Sequence, residues 1–164
     1  MTEKQKTALE TIISALPDYS QGAFREIAEY AMSLGYTPKL NKKNTYADFI
    51  KSKHKKTIMK IDAAYQAPRL AVRFNALPVC TGIFQMAVEE RLKICGSYGS
   101  CKTCAGTFGD IYTLPNGKKV RICNAVIDVY SAVSSIPFFS AANIAEIKEA
   151  LKLQDDFLMS QVDE

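Results

Sequence analysis

The sequence has 164 residues, 48% of them hydrophobic and 23% charged, with a formal net charge of +4. That length and balance fit a single domain spanning residues 1–164 that can bury a core without covalent staples. No run approaches the roughly 20 apolar residues of a membrane helix, and the start shows no secretory leader, so no membrane partner and a cytoplasmic location are expected.

The chain opens with a helical pattern over residues 3 to 16, with Leu9, Ile12, Ile13 and Leu16 on one face. Pro17 and Asp18 interrupt it. Ser20 is the expected cap of a second helix striped by Phe24, Ile27, Ala28, Ala31 and Leu34, and Gly35 stands where a left-handed C-terminal cap is wanted. Residues 46 to 53 and 56 to 62 read as an antiparallel pair joined at His54-Lys55. Residues 68 to 75 alternate Leu70, Val72 and Phe74 with Arg69, Ala71 and Arg73, the pattern of a half-buried strand. A helix is expected over 81 to 92, a loop rich in Gly, Ser and Cys over 94 to 109, and a hairpin of 110 to 114 with 118 to 130 around Pro115, Asn116 and Gly117. The last element is a helix over 143 to 159, capped by Asn143 with Glu146 and striped by Ile144, Ile147, Leu151 and Leu158. The order predicts an α+β fold: a mainly antiparallel sheet packed by the N-terminal helix pair, a middle helix and a C-terminal helix, with a zinc-knuckle loop.

Four of the five cysteines fall between positions 95 and 123. Their spacing is Cys95-x5-Cys101-x2-Cys104-x18-Cys123. Two residues between Cys101 and Cys104 let both sulfurs turn to one ion at about 2.3 Å. On the expected strand, Val120 and Ile122 share the core face, so Cys123 lies off it with Lys119 and Arg121. A cysteine off the core is not filling space; it is placed to meet the loop. Four thiolates around Zn²⁺ leave a net charge of −2, which Lys93, Lys102, Lys118, Lys119 and Arg121 would offset. A redox Cys-x-x-Cys normally opens a helix after a strand, a pattern not found here. An iron–sulfur centre also takes four cysteines, but the spacing matches neither ferredoxin pattern. Structural zinc is the preferred cofactor. Four protein thiolates leave no open position for substrate, so such a site serves stability. Cys80 is expected to lie outside it.

The positive charge is concentrated. Residues 39 to 60 carry eight lysines and one acid, Asp48, leaving 13 basic and 16 acidic residues elsewhere. A two-residue turn at His54-Lys55 predicts that Lys51, Lys53, Lys56 and Lys60 share one face of the 46–62 ribbon, a candidate anion-binding face. A solvated, edge-protecting lysine face is the simpler reading. No catalytic residue is assigned. His54, the one histidine, sits at the turn, and the adjacent pairs Glu89-Glu90 and Asp155-Asp156 point apart on their helices and make no dyad.

Several segments resemble a group of uncharacterised bacterial proteins of clostridial type. They are the turn Leu34, Gly35, Tyr36, Thr37, Pro38; the strand from Pro68 to Phe74; the cysteine-rich loop; the hairpin from Pro115 to Cys123; and the closing helix from Ile144 to Asp155. The resemblance implies a single α+β domain whose cysteines act together, and it implies no activity. The sequence thus reads as a zinc-stabilised binding or interaction domain, its partner a small molecule or protein of unknown identity. The alternatives are a nucleic-acid-associated domain using the basic hairpin and an enzyme of unrecognised type.

Overall fold

Local signals in the first 35 residues build a helical hairpin. The computed structural model describes residues 1–97, 109–132 and 138–162. Helix α1 (Glu3–Ser14) opens on a capping box: the Gln5 amide donates to the Thr2 hydroxyl, and the Gln5 side chain accepts from the Thr2 N–H at 2.8 Å. Helix α2 (Asp18–Ser33) starts after Pro17, whose fixed φ and missing N–H suit a helix entrance. Ser20 is not its cap. It lies buried in the first turn and donates to the Pro17 carbonyl at 2.8 Å. Gly35, at φ +94°, ends the helix as expected. Arg25 of α2 ion-pairs with Glu10 of α1 across the hairpin.

Five antiparallel strands form the main sheet in the spatial order Thr37–Leu40, Tyr46–Ile50, Thr57–Asp62, Arg69–Val72, Ile127–Ser131. Strand β1 (Thr37–Leu40) was not anticipated; it carries Pro38 and is an edge strand, where a missing N–H costs no ladder bond. Next come β2 (Tyr46–Ile50), β3 (Thr57–Asp62) and β4 (Arg69–Val72). Helix α3 (Gly82–Ser97) runs further than its pattern suggests, so residues 94 to 97 are helix and not loop. Strands β5 (Asp110–Thr113) and β6 (Lys119–Ile122) form a separate two-stranded ribbon, turned by Gly117 at φ +82°. The run expected as one strand from 118 to 130 is two. After Ile122 the chain leaves the ribbon and re-enters the large sheet as β7 (Ile127–Ser131), beside β4. Helix α4 (Ala141–Ser160) closes the fold. Its cap is Ser140, in a capping box with Asn143, one turn before the expected Asn143 cap. The chain is therefore α+β, with four helices and a mostly antiparallel five-stranded sheet among the described residues.

Strand alternation gives the sheet two unlike faces. Met59 and Ile61 of β3 and Leu70 and Val72 of β4 are paired and buried on one face. Tyr130, opposite Leu70, meets Phe24 of α2 edge-on at 6.2 Å, so this face packs on the N-terminal helices. Each fully buried Ile, Leu or Phe here contributes about 1.5–3 kcal/mol. The other face carries Lys60, Asp62, Arg69 and Asp128, and it turns toward α3. Phe74 lies between Phe84 of α3, tilted, and Tyr112 of β5, edge-on, with centroids 4.8 and 5.0 Å away, which ties α3 and the small ribbon to the main core. Arg73 and Asp110 bridge the two sheets at 3.0 Å.

Candidate metal centre and the cleft beside it

Of the four cysteines predicted to bind metal, Cys95 and Cys123 are described and both are unpaired thiols; Cys101 and Cys104 lie outside the described residues. Among the described residues no group of three or more metal-ligating side chains converges. Cys95 sits in the last turn of α3 and not past its end. Cys123 directly follows β6, where Ile122 is buried and Cys123 exposed, the parity expected from the alternation. One contact brings these distant segments together. Arg91 Nη2 donates to Asn124 Oδ1 at 2.8 Å. Arg91 is one helical turn before Cys95 on the same face of α3, and Asn124 follows Cys123. The Cys123 thiol itself lies 3.5 Å from that same Asn124 oxygen. Gly109, at φ +94°, presses onto the end of β6 so closely that a Cβ there would stand 2.0 Å from the Ile122 carbonyl oxygen. The chain leading out of the cysteine-rich segment is thus packed against Cys123. Cys80 is elsewhere: it is buried, its N–H donates to the Thr113 carbonyl at 2.7 Å, and burial pushes its thiol up to about 11.

The same Arg91–Asn124 bond borders a cleft of about 480 Å³ between α3 and the charged face of the sheet. Asp62 is fully engaged there, accepting from the Ala64 N–H at 2.8 Å and ion-pairing with Arg69. The Lys60 ammonium lies 3.8 Å from the centre of the Tyr46 ring. Asp128 faces Arg69 only loosely, at 4.0 Å, and burial holds its carboxyl above the usual carboxylate range, against the pull of Arg69 and Arg91. The alternation of Arg69 and Ala71 with buried Leu70 and Val72 in β4 was the sequence signal for this face; that β7 and α3 complete it was not legible locally.

The lysine ribbon is corrected by the structure. Strands β2 and β3 pair Asp48 with Lys60 and Phe49 with Met59, one residue out of the expected register, with a bulge between Phe49 and Ile50. Six residues, not two, join the strands, and Lys55 takes a left-handed φ of +57°. Lys51, Lys53, Lys56 and Lys60 therefore do not form one face. Lys51 turns inward onto Asp155, at 2.8 and 3.0 Å. Lys56 reaches Gln161 at 3.3 Å, Lys53 is exposed, and Lys60 lines the cleft under α3. Ile58 is the extra residue at the bulge, and it and its neighbour Met59 are both buried, while Lys51 leaves the strand to meet its acid.

His54 belongs to this turn and is not a free polar tip. The Lys56 N–H donates to His54 Nδ1 at 3.1 Å, which leaves the ring proton on Nε2, 3.1 Å from the Tyr36 hydroxyl. Tyr36, 1% exposed, donates onward to Asp155 Oδ1 at 3.0 Å. A single consistent relay runs from His54 through Tyr36 to Asp155, closed by Lys51. Burial, and then the Lys51 charge, hold the imidazole below its ordinary range, while burial followed by Asp155 raises the Tyr36 phenol. The missed signal was Asp155 itself, four residues after Leu151 and three before Leu158 on the apolar stripe of α4. The other acid pair is separately engaged, Glu89 with Gln85 at 2.9 Å and Glu90 with Lys93 at 2.6 Å, while Asp156 pairs with Lys152.

No helix among the described residues is long and apolar enough to cross a membrane. In comparisons with known proteins, no family model, curated sequence or solved structure matches the chain. The resemblance drawn from its motifs rests on those motifs alone.

Proposed function

We propose that this chain is a binding domain stabilised by one structural zinc ion on Cys95, Cys101, Cys104 and Cys123, with its ligand seat in the cleft between α3 and the sheet. The observation that carries this reading is the Arg91–Asn124 hydrogen bond. It joins the helix that bears the first cysteine to the segment that bears the last, 28 positions later. It does so at the rim of the cleft. A metal there would fix one wall of the cleft against the other. Lys119 and Arg121 are exposed on the Cys123 side of β6, where cations offset the charge of a four-thiolate site. A site filled by four protein sulfurs offers no position to a substrate, so the ligand belongs to the cleft and not to the metal. Nucleic acid gains no geometric support, because the lysines that were to contact phosphates point to different partners.

The test is replacement of Cys104 by Ser, with Cys80→Ser as control. Cys104→Ser is expected to lose the bound metal and to melt at lower temperature, and a chelator is expected to shift the unmodified protein the same way. Cys80→Ser is expected to keep its metal. An unchanged melting curve and metal content in Cys104→Ser would refute the reading.

A further inference from the structure

The faces of the sheet differ in kind. Under a covering helix a sheet face is ordinarily apolar, yet α3 lies over Lys60, Asp62, Arg69 and Asp128. With Arg91 and Glu90 of α3, the cleft holds three cations and three carboxylates, a balance of zero. A polyanion would bring its charges to a cleft whose own charges already cancel in sum. The Lys60 ammonium lies on the Tyr46 ring, Arg69 pairs with Asp62 and Glu90 with Lys93, which leaves Asp128 and Arg91. The Asp128 carboxylate, its side chain 41% exposed, has no hydrogen bond among the described residues; Arg69, at 4.0 Å, is too far for one. Arg91 spends Nη2 on Asn124, while its Nε is buried with no acceptor among the described residues. A buried donor such as the Arg91 Nε is ordinarily paired. The cleft thus offers a carboxylate open to a donor at Asp128 and a donor without an acceptor at Arg91.

Resting on the binding-domain reading above, we infer that the cleft takes a free α-amino acid with an apolar side chain, its ammonium group on Asp128 and its carboxylate between Arg91 and Arg69. A zwitterion brings one donor group and one acceptor group and leaves the charge balance at zero. Its two charged ends are one carbon apart, which suits carboxylate and guanidinium groups near enough that Arg91 and Arg69 both act on the Asp128 carboxyl. Ala87 and Ile94 of α3 and Val126 ahead of β7 supply an apolar wall for the side chain, and Ile94 is 44% exposed. The volume is in the range of small-molecule sites.

Calorimetric titration of the metal-loaded protein with L-leucine, leucinamide and N-acetyl-leucine tests this, with inorganic pyrophosphate as the polyanion. Leucine is expected to bind with a millimolar or tighter Kd, and each blocked derivative about tenfold or more weaker. Asp128→Asn, close to isosteric, is expected to weaken leucine about tenfold and to leave N-acetyl-leucine unaffected. Arg91→Gln should weaken leucine and spare leucinamide; the blocked ligands on the unmodified protein need no variant to fold. Absence of heat with any of the common L-amino acids at about 10 mM, equal binding of the blocked forms, or tighter binding of pyrophosphate would overturn the inference. Metal content measured on the same sample separates the two levels. Zinc without amino-acid binding sinks only the ligand class, whereas a metal-free protein sinks the reading beneath it.

Discussion

Replacement of Lys51 by Met removes the cation from a carboxylate that has little water to fall back on. The ion pair with Asp155 is 2.8 Å long, with the two side chains only 15% and 9% exposed. Unit charges at that distance attract by about 6 kcal/mol at an effective dielectric of about 20, most of it offset by desolvation. Removing one partner leaves that desolvation without compensation, at about 3–5 kcal/mol. Tyr36 stays bonded to Asp155 at 3.0 Å, which places the expected loss for Lys51→Met near 3 kcal/mol, the low end of that ~3–5 kcal/mol range. In a chain of this size the melting temperature should fall by about 6–12 °C. The double variant Lys51→Met/Asp155→Leu leaves no lone charge and should cost less than Lys51→Met alone. Urea unfolding of the singles and the double closes the cycle. A loss below about 1 kcal/mol for Lys51→Met, or a double variant equal to the sum of the singles, would refute the account of this cluster.

Other outcomes follow from the same geometry. His54 is held below its ordinary value of 6.5, so the unfolded chain takes up its proton first as the pH falls. Its contribution to stability should be complete above about pH 6.5 and should be lost progressively below that. The second proton would enter at Nδ1, against the Lys56 N–H; Lys51, Lys56 and Arg73 oppose it and Asp155 favours it. His54→Asn should flatten the unfolding free energy between about pH 6.5 and 5 relative to the unmodified protein; the same slope in both would contradict the relay. Gly109→Ala should cost at least about 2 kcal/mol, because its φ is +94° and its Cβ would meet backbone, and it should also weaken metal retention by displacing Cys123. Gly22→Ala, in α2 with open space at its Cβ, should instead stabilise by about 0.5–1 kcal/mol in the same thermal melt.

Much of this fold was legible because its signals are local. The stripes of α1 and α2, Gly35 as a left-handed cap and the Pro115 to Gly117 turn each depend on a few neighbouring residues. The parity of Cys123 was readable for the same reason, since Ile122 and Cys123 alternate on one strand. What failed depended on distant partners. Lys51 reads as a ribbon lysine until Asp155, 104 positions away, is known to face it. That attraction, with the bulge at Phe49 and Ile50, replaced the two-residue turn and moved the register by one. The break between β6 and β7 has no Gly or Pro to mark it, because residues 123 to 126 leave one ribbon only when β4 offers another edge. The cleft is likewise a product of pairing. Its strand face could be seen in Arg69 and Ala71, but Asp128 and Arg91 join it only through the sheet order and the packing of α3.

The central claim is one zinc ion held by four sulfurs at the edge of the cleft. Elemental analysis of the purified protein, combined with X-ray absorption at the metal edge, addresses it most directly. The account predicts one zinc per chain, surrounded by four sulfur atoms at about 2.3 Å, with Cys80 still free to react after unfolding. Iron in place of zinc, two disulfides among the four cysteines, or four reactive thiols with no metal would contradict it.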